Sequence, residues 1–272
     1  MPSHDDDFCL PASGIFLWGN GRADLADPVT PQTLAGLHPL WAEDALERAP
    51  WQELLSAGEP WWFSKRRAGG RVVVCGPCVS SLDVARFFAG QGRLEAWDSV
   101  LAVSQRAGRG QLGRSWESPP GNVYGTLVLP PAPKEWDSQL SLLVGFCLAR
   151  FLRSKNIPAF IKWPNDLLVE GKKVAGILIE ERDGRCMAGI GINLAGHPPQ
   201  AALRGGHAAP AGNLRRLTGF TGTPLGMWCD LVEFVRSCYE NILACEAAST
   251  AASLVSPLLW RQGGKIGEKS TG

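Results

Sequence analysis

The chain has 272 residues, 45% hydrophobic and 19% charged, enough length and apolar content to bury a sizeable core. A formal net charge of +1 removes the global field expected of a nucleic-acid-binding or membrane-surface protein. Asp5, Asp6 and Asp7 stand where a secretory signal needs positive charge, and the most apolar run, 140–152, contains Arg150 and is too short for a bilayer.

Residues 1–70 read differently from the rest. They hold Trp18, Trp41, Trp51, Trp61 and Trp62, and over 1–75 ten acidic residues face six basic ones, the wrong sign for a DNA-binding head. The segment 41–58 has partial helical periodicity interrupted by Pro50. This region is expected to be a packed extension or small accessory domain of unknown role. From residue 71 the pattern is clearer. Residues 71–75 form a strand, and Ser80 or Ser81 caps a helix running to about Ala89. Strands at 99–103 and 123–129 flank a polar loop, 104–122, and a helix follows over 136–155. Three short strands come next, at 160–163, 173–181 and 185–193. The last two are joined by Arg182-Asp183-Gly184, where Asp-Gly supplies the positive φ of a tight hairpin. A Gly/Pro/His-rich stretch, 195–212, leads to helices near 225–245 and 252–262. The alternation predicts an α+β fold with a mixed, mainly antiparallel sheet flanked by helices.

The eight cysteines (9, 75, 78, 147, 186, 229, 238, 245) match no disulfide framework and read as reduced thiols, which suits a cytoplasmic setting. Cys75-Gly-Pro-Cys78 lies between a strand and a helix, as a thioredoxin-type motif would. No tryptophan precedes it and the surrounding chain is not a thioredoxin-sized unit, so two thiols in a turn is the preferred reading. No second close pair of Cys or His completes a zinc site, and no protein-ligated metal is expected.

Two segments carry chemistry. The first, 105–116, sets Gly108, Gly110 and Gly113 among Arg106, Arg109 and Arg114, with Trp116 as an anchor and no acidic residue before Glu117. Glycines let backbone amides approach a ligand, and arginines bind carboxylate or phosphate bidentately. The plain alternative is a flexible basic surface loop. It is neither a Walker loop, lacking Gly-Lys-Ser/Thr, nor a Rossmann fingerprint. The second segment is Lys162-Trp-Pro-Asn-Asp166, followed by Gly171-Lys-Lys-Val-Ala-Gly-Ile-Leu-Ile-Glu180. Pro164 fixes a corner, and strand alternation puts Lys172 and Lys173 on opposite faces, one toward the site and one toward solvent. Alone, this would pass for a β-turn with solvated lysines.

Together, about 50 residues apart and in this order, the two segments resemble the signatures of biotin–protein ligases, within the biotin/lipoate A/B protein ligase family. The resemblance extends to Ser80-Ser81-Leu82-Asp83 upstream and Gly189-Ile-Gly-Ile-Asn193 downstream, and covers roughly 71–260. It implies a class II synthetase-like catalytic domain that activates biotin with ATP and Mg²⁺ to biotinyl-5′-AMP. Biotin would then pass to a lysine of a biotin carboxyl carrier protein. It implies biotin contacts at Ser80, Ser81, Gln105, Gly108, Arg109, Gly110, Lys173 and Gly176. ATP contacts are implied at Arg114, Trp116, Lys162, Asn165 and Asn193, and catalytic roles for Arg109, Lys162, Asp166 and Lys173. Asp166 would orient or deprotonate the incoming amine, though a lone Asp beside a lysine also reads as a simple ion pair. Neither nucleic acid nor membrane is expected as a partner, and a homodimer is an open option. The chain departs from the family at Gln111-Leu112, where some members have two arginines, and no adenine-stacking tryptophan is evident in 195–217. Residues 261–272 form a short tail, so the small C-terminal β-barrel is expected to be missing or truncated, and the repressor-type DNA-binding head absent. Two alternatives stay open: a lipoate or octanoate transferase of the same fold, although its RRxSGG-type loop is not found here, and a biotin-binding protein with reduced catalysis.

Overall fold

The structure is a computed structural model describing residues 10–46, 50–56, 58–132, 139–198, 209–244 and 254–260. Its frame is one ten-stranded sheet in the order β2-β3-β1-β4-β5-β6-β10-β9-β8-β7. The strands are β1 (Gly14–Trp18), β2 (Gln52–Ser56), β3 (Glu59–Ser64), β4 (Arg71–Cys75), β5 (Ser99–Ala102), β6 (Val123–Leu129), β7 (Phe160–Lys162), β8 (Asp166–Val169), β9 (Lys172–Arg182) and β10 (Arg185–Ile192). Only β1–β4 and β4–β5 pair in parallel, so the sheet is mixed and mainly antiparallel, as expected. The helices are α1 (Pro31–Leu37), α2 (Pro39–Leu46), α3 (Ser81–Gly90), α4 (Leu140–Ser154), α5 (Leu214–Thr218) and α6 (Pro224–Ala244).

Strand alternation sorts the core into two layers. One face carries α4 and α6 over Val72, Val74, Leu101, Leu127, Ile177 and Ile190; the other carries α3 over Val73, Val100, Ala102, Tyr124, Val128 and Met187. The first strands of the chain are not set apart from this sheet. β1 pairs with β4, and Trp18 and Trp61 are fully buried against Phe88 of α3, with ring centroids 4.8 and 5.7 Å away. A run such as Gly-Ile-Phe-Leu-Trp, buried on both faces, shows no period-two alternation and so escaped the sequence reading. Asp44 of α2 ties this region to α6: its carboxylate accepts from the Thr223 hydroxyl at 2.6 Å and from the Leu225 N–H at 3.0 Å.

Several boundaries move. Among the described residues the fourth helix starts at Leu140, and 136–138 of the expected helix lie outside them. Of the helix expected over 252–262, residues 254–255 are helical and Ser256–Leu258 is a 3-10 turn, where Pro257 lacks the N–H to continue an α-helix; 252–253 and 261–262 lie outside the described residues. Trp260 instead donates its backbone N–H to the Ile161 carbonyl at 2.8 Å, along β7. β8, a strand of four residues between the Pro164 corner and the Glu170-Gly171 turn, has no counterpart among the expected strands. Asp183 and Gly184 do take positive φ (53° and 70°) and close the β9–β10 hairpin.

Candidate active site

One row across the sheet defines the site. Lys162, Asp166, Gly176, Gly191, Tyr124 and Ala102 lie successively opposite one another on β7, β8, β9, β10, β6 and β5. Directly opposed residues share a face, so two charged side chains border a strip that has only glycine at its centre. A Cβ on Gly191 would stand 2.7 Å from the Trp116 ring, and one on Gly176 would stand 2.8 Å from it. The glycines therefore form a floor on which the Trp116 indole lies flat against backbone. The indole N–H is shut off from solvent and has no hydrogen-bond partner among the described residues, a donor in want of an acceptor.

Lys173 stands at one side of this floor, its ammonium 5.0 Å from the Trp116 ring centroid and 2.6 Å from the Asp166 carboxylate. Lys172 points elsewhere, exposed and against Gly212, as the alternation predicts. Asn165 locks the Pro164 corner to β9 by donating its amide to the Ile177 carbonyl at 2.8 Å and accepting the Ile177 N–H on its own carbonyl at 3.0 Å. Trp163 is 73% exposed at the rim.

The opposite side is built by the first turn of α3 and by the glycine/arginine loop. The buried Thr126 hydroxyl donates to Ser81 Oγ at 2.9 Å, and the Ser81 N–H donates to Gln105 Oε1 at 2.8 Å. Gln105 Nε2 in turn donates to the Ser118 hydroxyl, which donates to the Trp116 carbonyl, at 2.8 and 3.0 Å. A single hydrogen-bonded chain thus runs from β6 through α3 into the loop. Ser80 caps α3 and hydrogen-bonds Asp83 (2.6 Å) rather than facing the floor. The loop itself is a narrow hairpin: Gly110 N–H donates to the Arg114 carbonyl at 2.7 Å, and Trp116 N–H to the Gly108 carbonyl at 2.9 Å. Gly108 is wedged beside Gln105 and Ser118; a Cβ there would meet the Trp116 carbonyl at 2.4 Å. Arg106 turns outward to Asp27 (3.2 Å), Arg114 is exposed, and Arg109 turns inward to Asp83. A cavity of about 460 Å³ opens along this loop between Gln105, Gly108, Trp116 and Ser118.

Asn193 is buried. Its amide donates to the Gly212 carbonyl (3.0 Å) and its N–H to the Val174 carbonyl (2.7 Å), so it braces the segment leading into α5. The structure thus gathers Ser81, Gln105, Gly108, Arg109, Trp116, Asp166, Lys173 and Gly176 around one floor. It sets Arg114 at the loop's outer edge and Asn193 behind β9. Part of the stretch expected to meet adenine, 199–208, lies outside the described residues. Three residues were missed. Thr126 and Ser118 are lone hydroxyls with no spacing signal. Asn122 accepts the backbone N–H groups of Leu194, Ala195 and Gly196 on one oxygen at 2.8–2.9 Å, pinning that turn to the start of β6. Each of those N–H groups would cost about 1–3 kcal/mol if left unmet.

Cys75 and Cys78 are buried free thiols, and the hydrogen bond to Cys78, with burial, pushes the Cys75 thiol up. A thiol held neutral is a poor redox nucleophile. Among the described residues no group of three or more His, Cys, Asp or Glu side chains forms a metal site. No described helix is long and apolar enough to cross a membrane.

Residues 76–196, which carry the loop, the floor and the lysine, match the model of the Biotin/lipoate A/B protein ligase family. This segment is similar to that family's domain. A biotin–[acetyl-CoA-carboxylase] ligase of Paracoccus denitrificans is 43% identical over 138 residues, 47% of this chain and 56% of that one. The bifunctional ligase/repressor BirA of Escherichia coli is 38% identical over 113 residues, 38% and 35% of the two chains. The chain thus spans about half the length of one of these curated relatives and about a third of the other. Among solved structures, the biotin protein ligase of Leishmania major in complex with biotin superposes with a TM-score of 0.58 at 25% identity, covering 74% of this chain and 85% of that one. The Aquifex aeolicus biotin protein ligase in complex with biotin and ATP gives 0.55 at 25% identity over 64% and 72%. The mixed sheet with flanking helices is the class II synthetase-like fold of these ligases.

Proposed function

We propose that this chain is a biotin–protein ligase that couples biotin to AMP and then passes the biotinyl group to a lysine of a biotin carboxyl carrier protein. The observation that carries this is the glycine floor capped by Trp116, with Lys173 and Asp166 on one side and Ser81 and Arg109 on the other, inside the family-matching segment. The Trp116 indole laid over that floor suits the apolar ring system of biotin, and the polar chain at Ser81 and Gln105 suits its ureido edge.

In the first half-step the biotin carboxylate attacks the α-phosphorus of ATP, the bond to the β-phosphate breaks, and pyrophosphate leaves. Two anions must approach, so cations are needed where charge builds up. Lys173 and Arg109 serve the carboxylate and the phosphate that replaces it, and Lys162 and Arg114 serve the polyphosphate. Mg²⁺ would enter on the phosphate oxygens of ATP and share in neutralising them. Ser80 and Gly110 act through the shape of the α3 cap and the loop, and Gly176 through the floor. Asn165 acts by fixing the corner that bears Lys162 and Asp166. Asn193 supports the adenine side through α5. In the second half-step the carrier lysine attacks the acyl carbon and AMP leaves. Asp166, released from Lys173 when that ammonium turns to the adenylate, receives the amine proton.

The test is transfer. Purified protein, MgATP, labelled biotin and a carrier-protein fragment are expected to give label fixed to a single carrier lysine. Since the family model also covers lipoate ligases, lipoate and octanoate are run in parallel. Preference for either over biotin would replace the substrate, and biotin retained tightly but never transferred would make the protein a binder.

A further inference from the structure

α4 and α6 run antiparallel over one face of the sheet, and their contacts repeat with each helical turn. Lys155, at the end of α4, pairs with Asp230 at 2.7 Å, and one turn back Phe151 meets Phe234 with ring centroids 5.8 Å apart. Residues four apart lie on the same side of a helix. A further turn back along α4, and forward along α6, the next rung is therefore Cys147 against Cys238, and the two thiols are hydrogen-bonded to each other. Both are free, and neither takes part in the proposed chemistry. Their surroundings differ. Cys147 is fully buried, whereas Cys238 keeps 9% of its surface open. The shared hydrogen bond draws the Cys238 thiol below its ordinary range, helped by the Arg150 guanidinium, while the same bond and burial push the Cys147 thiol up. Cys75 and Cys229 are both pushed up, Cys229 by burial to about 12. Reactive thiolate character thus gathers at Cys238, with a second sulfur already beside it.

We propose that Cys147 and Cys238 are an oxidation site, closed by hydrogen peroxide into a disulfide that joins α4 to α6. The Cys238 thiolate attacks one peroxide oxygen; the O–O bond breaks, hydroxide leaves, and Cys238 becomes a sulfenic acid. The Cys147 sulfur then attacks the Cys238 sulfur. The S–O bond breaks, and the departing hydroxide takes the Cys147 proton and leaves as water. With the first hydroxide protonated by the proton that Cys238 had released, two thiols are oxidised to one disulfide and one peroxide is reduced to two waters. The link secures the helix to which other parts of the fold are tied: Thr223 and Leu225 at its start bind Asp44 of α2, and the Trp228 indole donates to the Ser99 hydroxyl of β5 at 3.0 Å. It lies on the sheet face opposite α3, so it braces the frame without entering the cleft.

The experiment treats the native full chain with hydrogen peroxide, blocks the remaining thiols by alkylation, and maps disulfide-linked peptides by mass spectrometry without reduction. A peptide joining Cys147 to Cys238 is expected as the first link to form. Because closing a long loop restricts the unfolded chain, the linked protein should melt about 5–10 °C above the reduced one, and a thiol reductant should reverse both changes. In Cys147→Ala, which lacks the second sulfur, a cyclic 1,3-dione should trap a sulfenic acid at Cys238. In Cys238→Ala, Cys147 should remain a thiol. A Cys75–Cys78 link or a link between two chains forming first, a Cys147–Cys238 link that appears only in denaturant, or linked protein that melts no higher than reduced protein would each overturn the proposal. So would a sulfenic acid trapped on Cys147 in Cys238→Ala, or none on Cys238 in Cys147→Ala. Should either variant fail to fold, the peptide map and melting temperature of the wild-type chain still decide.

Discussion

At the scale of single residues, the proposed adenylation depends most on Lys173. It stands in the cleft paired with Asp166 and over Trp116, not in either apolar core, so its loss should spare folding. Lys173→Ala is expected to lower adenylation by about 10²–10³-fold, the scale of deleting one preorganised donor, with the melting temperature nearly unchanged. A matched thermal scan and pyrophosphate assay check both halves. Asp83 offers a second test, through pH. Burial would raise its carboxyl, but the hydrogen bonds from Arg109 and Ser80 and the Arg109 and Arg86 charges outweigh this and hold it below the usual range. A carboxyl depressed in the folded state adds stability that is fully present above its unfolded pKa, about 4, and is lost as pH falls through the lower folded value. Between about pH 5 and pH 3 the melting temperature of wild type should therefore drop more steeply than that of Asp83→Asn; parallel curves would contradict it. Arg109 and Lys173, whose residue types suit anion binding, could be singled out in the sequence as candidates. Thr126, Ser118 and Asn122 were not, because a lone hydroxyl or amide acquires its role only when strands far apart in the chain bring its partners together.

At the scale of elements, α3 is the hub. Its first turn bears Ser81 and Asp83, and its apolar side is clamped by Trp18 of β1 and Trp61 of β3. The N-terminal strands therefore hold the helix that holds the loop. Trp18→Ala should cost about 3–5 kcal/mol, the range for emptying a buried aromatic site, and urea midpoints would measure it. Biotin affinity should weaken even under conditions where the variant remains folded, since the helix loses its backing. From β4 onward the elements could be read from the sequence because turns such as Asp183-Gly184 and caps such as Ser80 punctuate them. β1 could not, because a strand buried on both faces carries no alternation, and β8 is too short to show any.

At the scale of the whole molecule, the glycine floor of the candidate site exists only through strand order. Gly176 and Gly191 are fifteen positions apart in a hairpin, but Asp166, Tyr124 and Ala102 join their row through pairings that no local pattern encodes. The motifs showed that a loop and a lysine belong together; the sheet explains how, by putting Trp116 between them. The most direct measurement mixes the purified chain with biotin and MgATP, without carrier protein, and looks for biotinyl-5′-AMP by mass spectrometry. A biotin ligase gives that adenylate together with an equal amount of pyrophosphate. Bound biotin with neither product, at any enzyme concentration, would contradict the account.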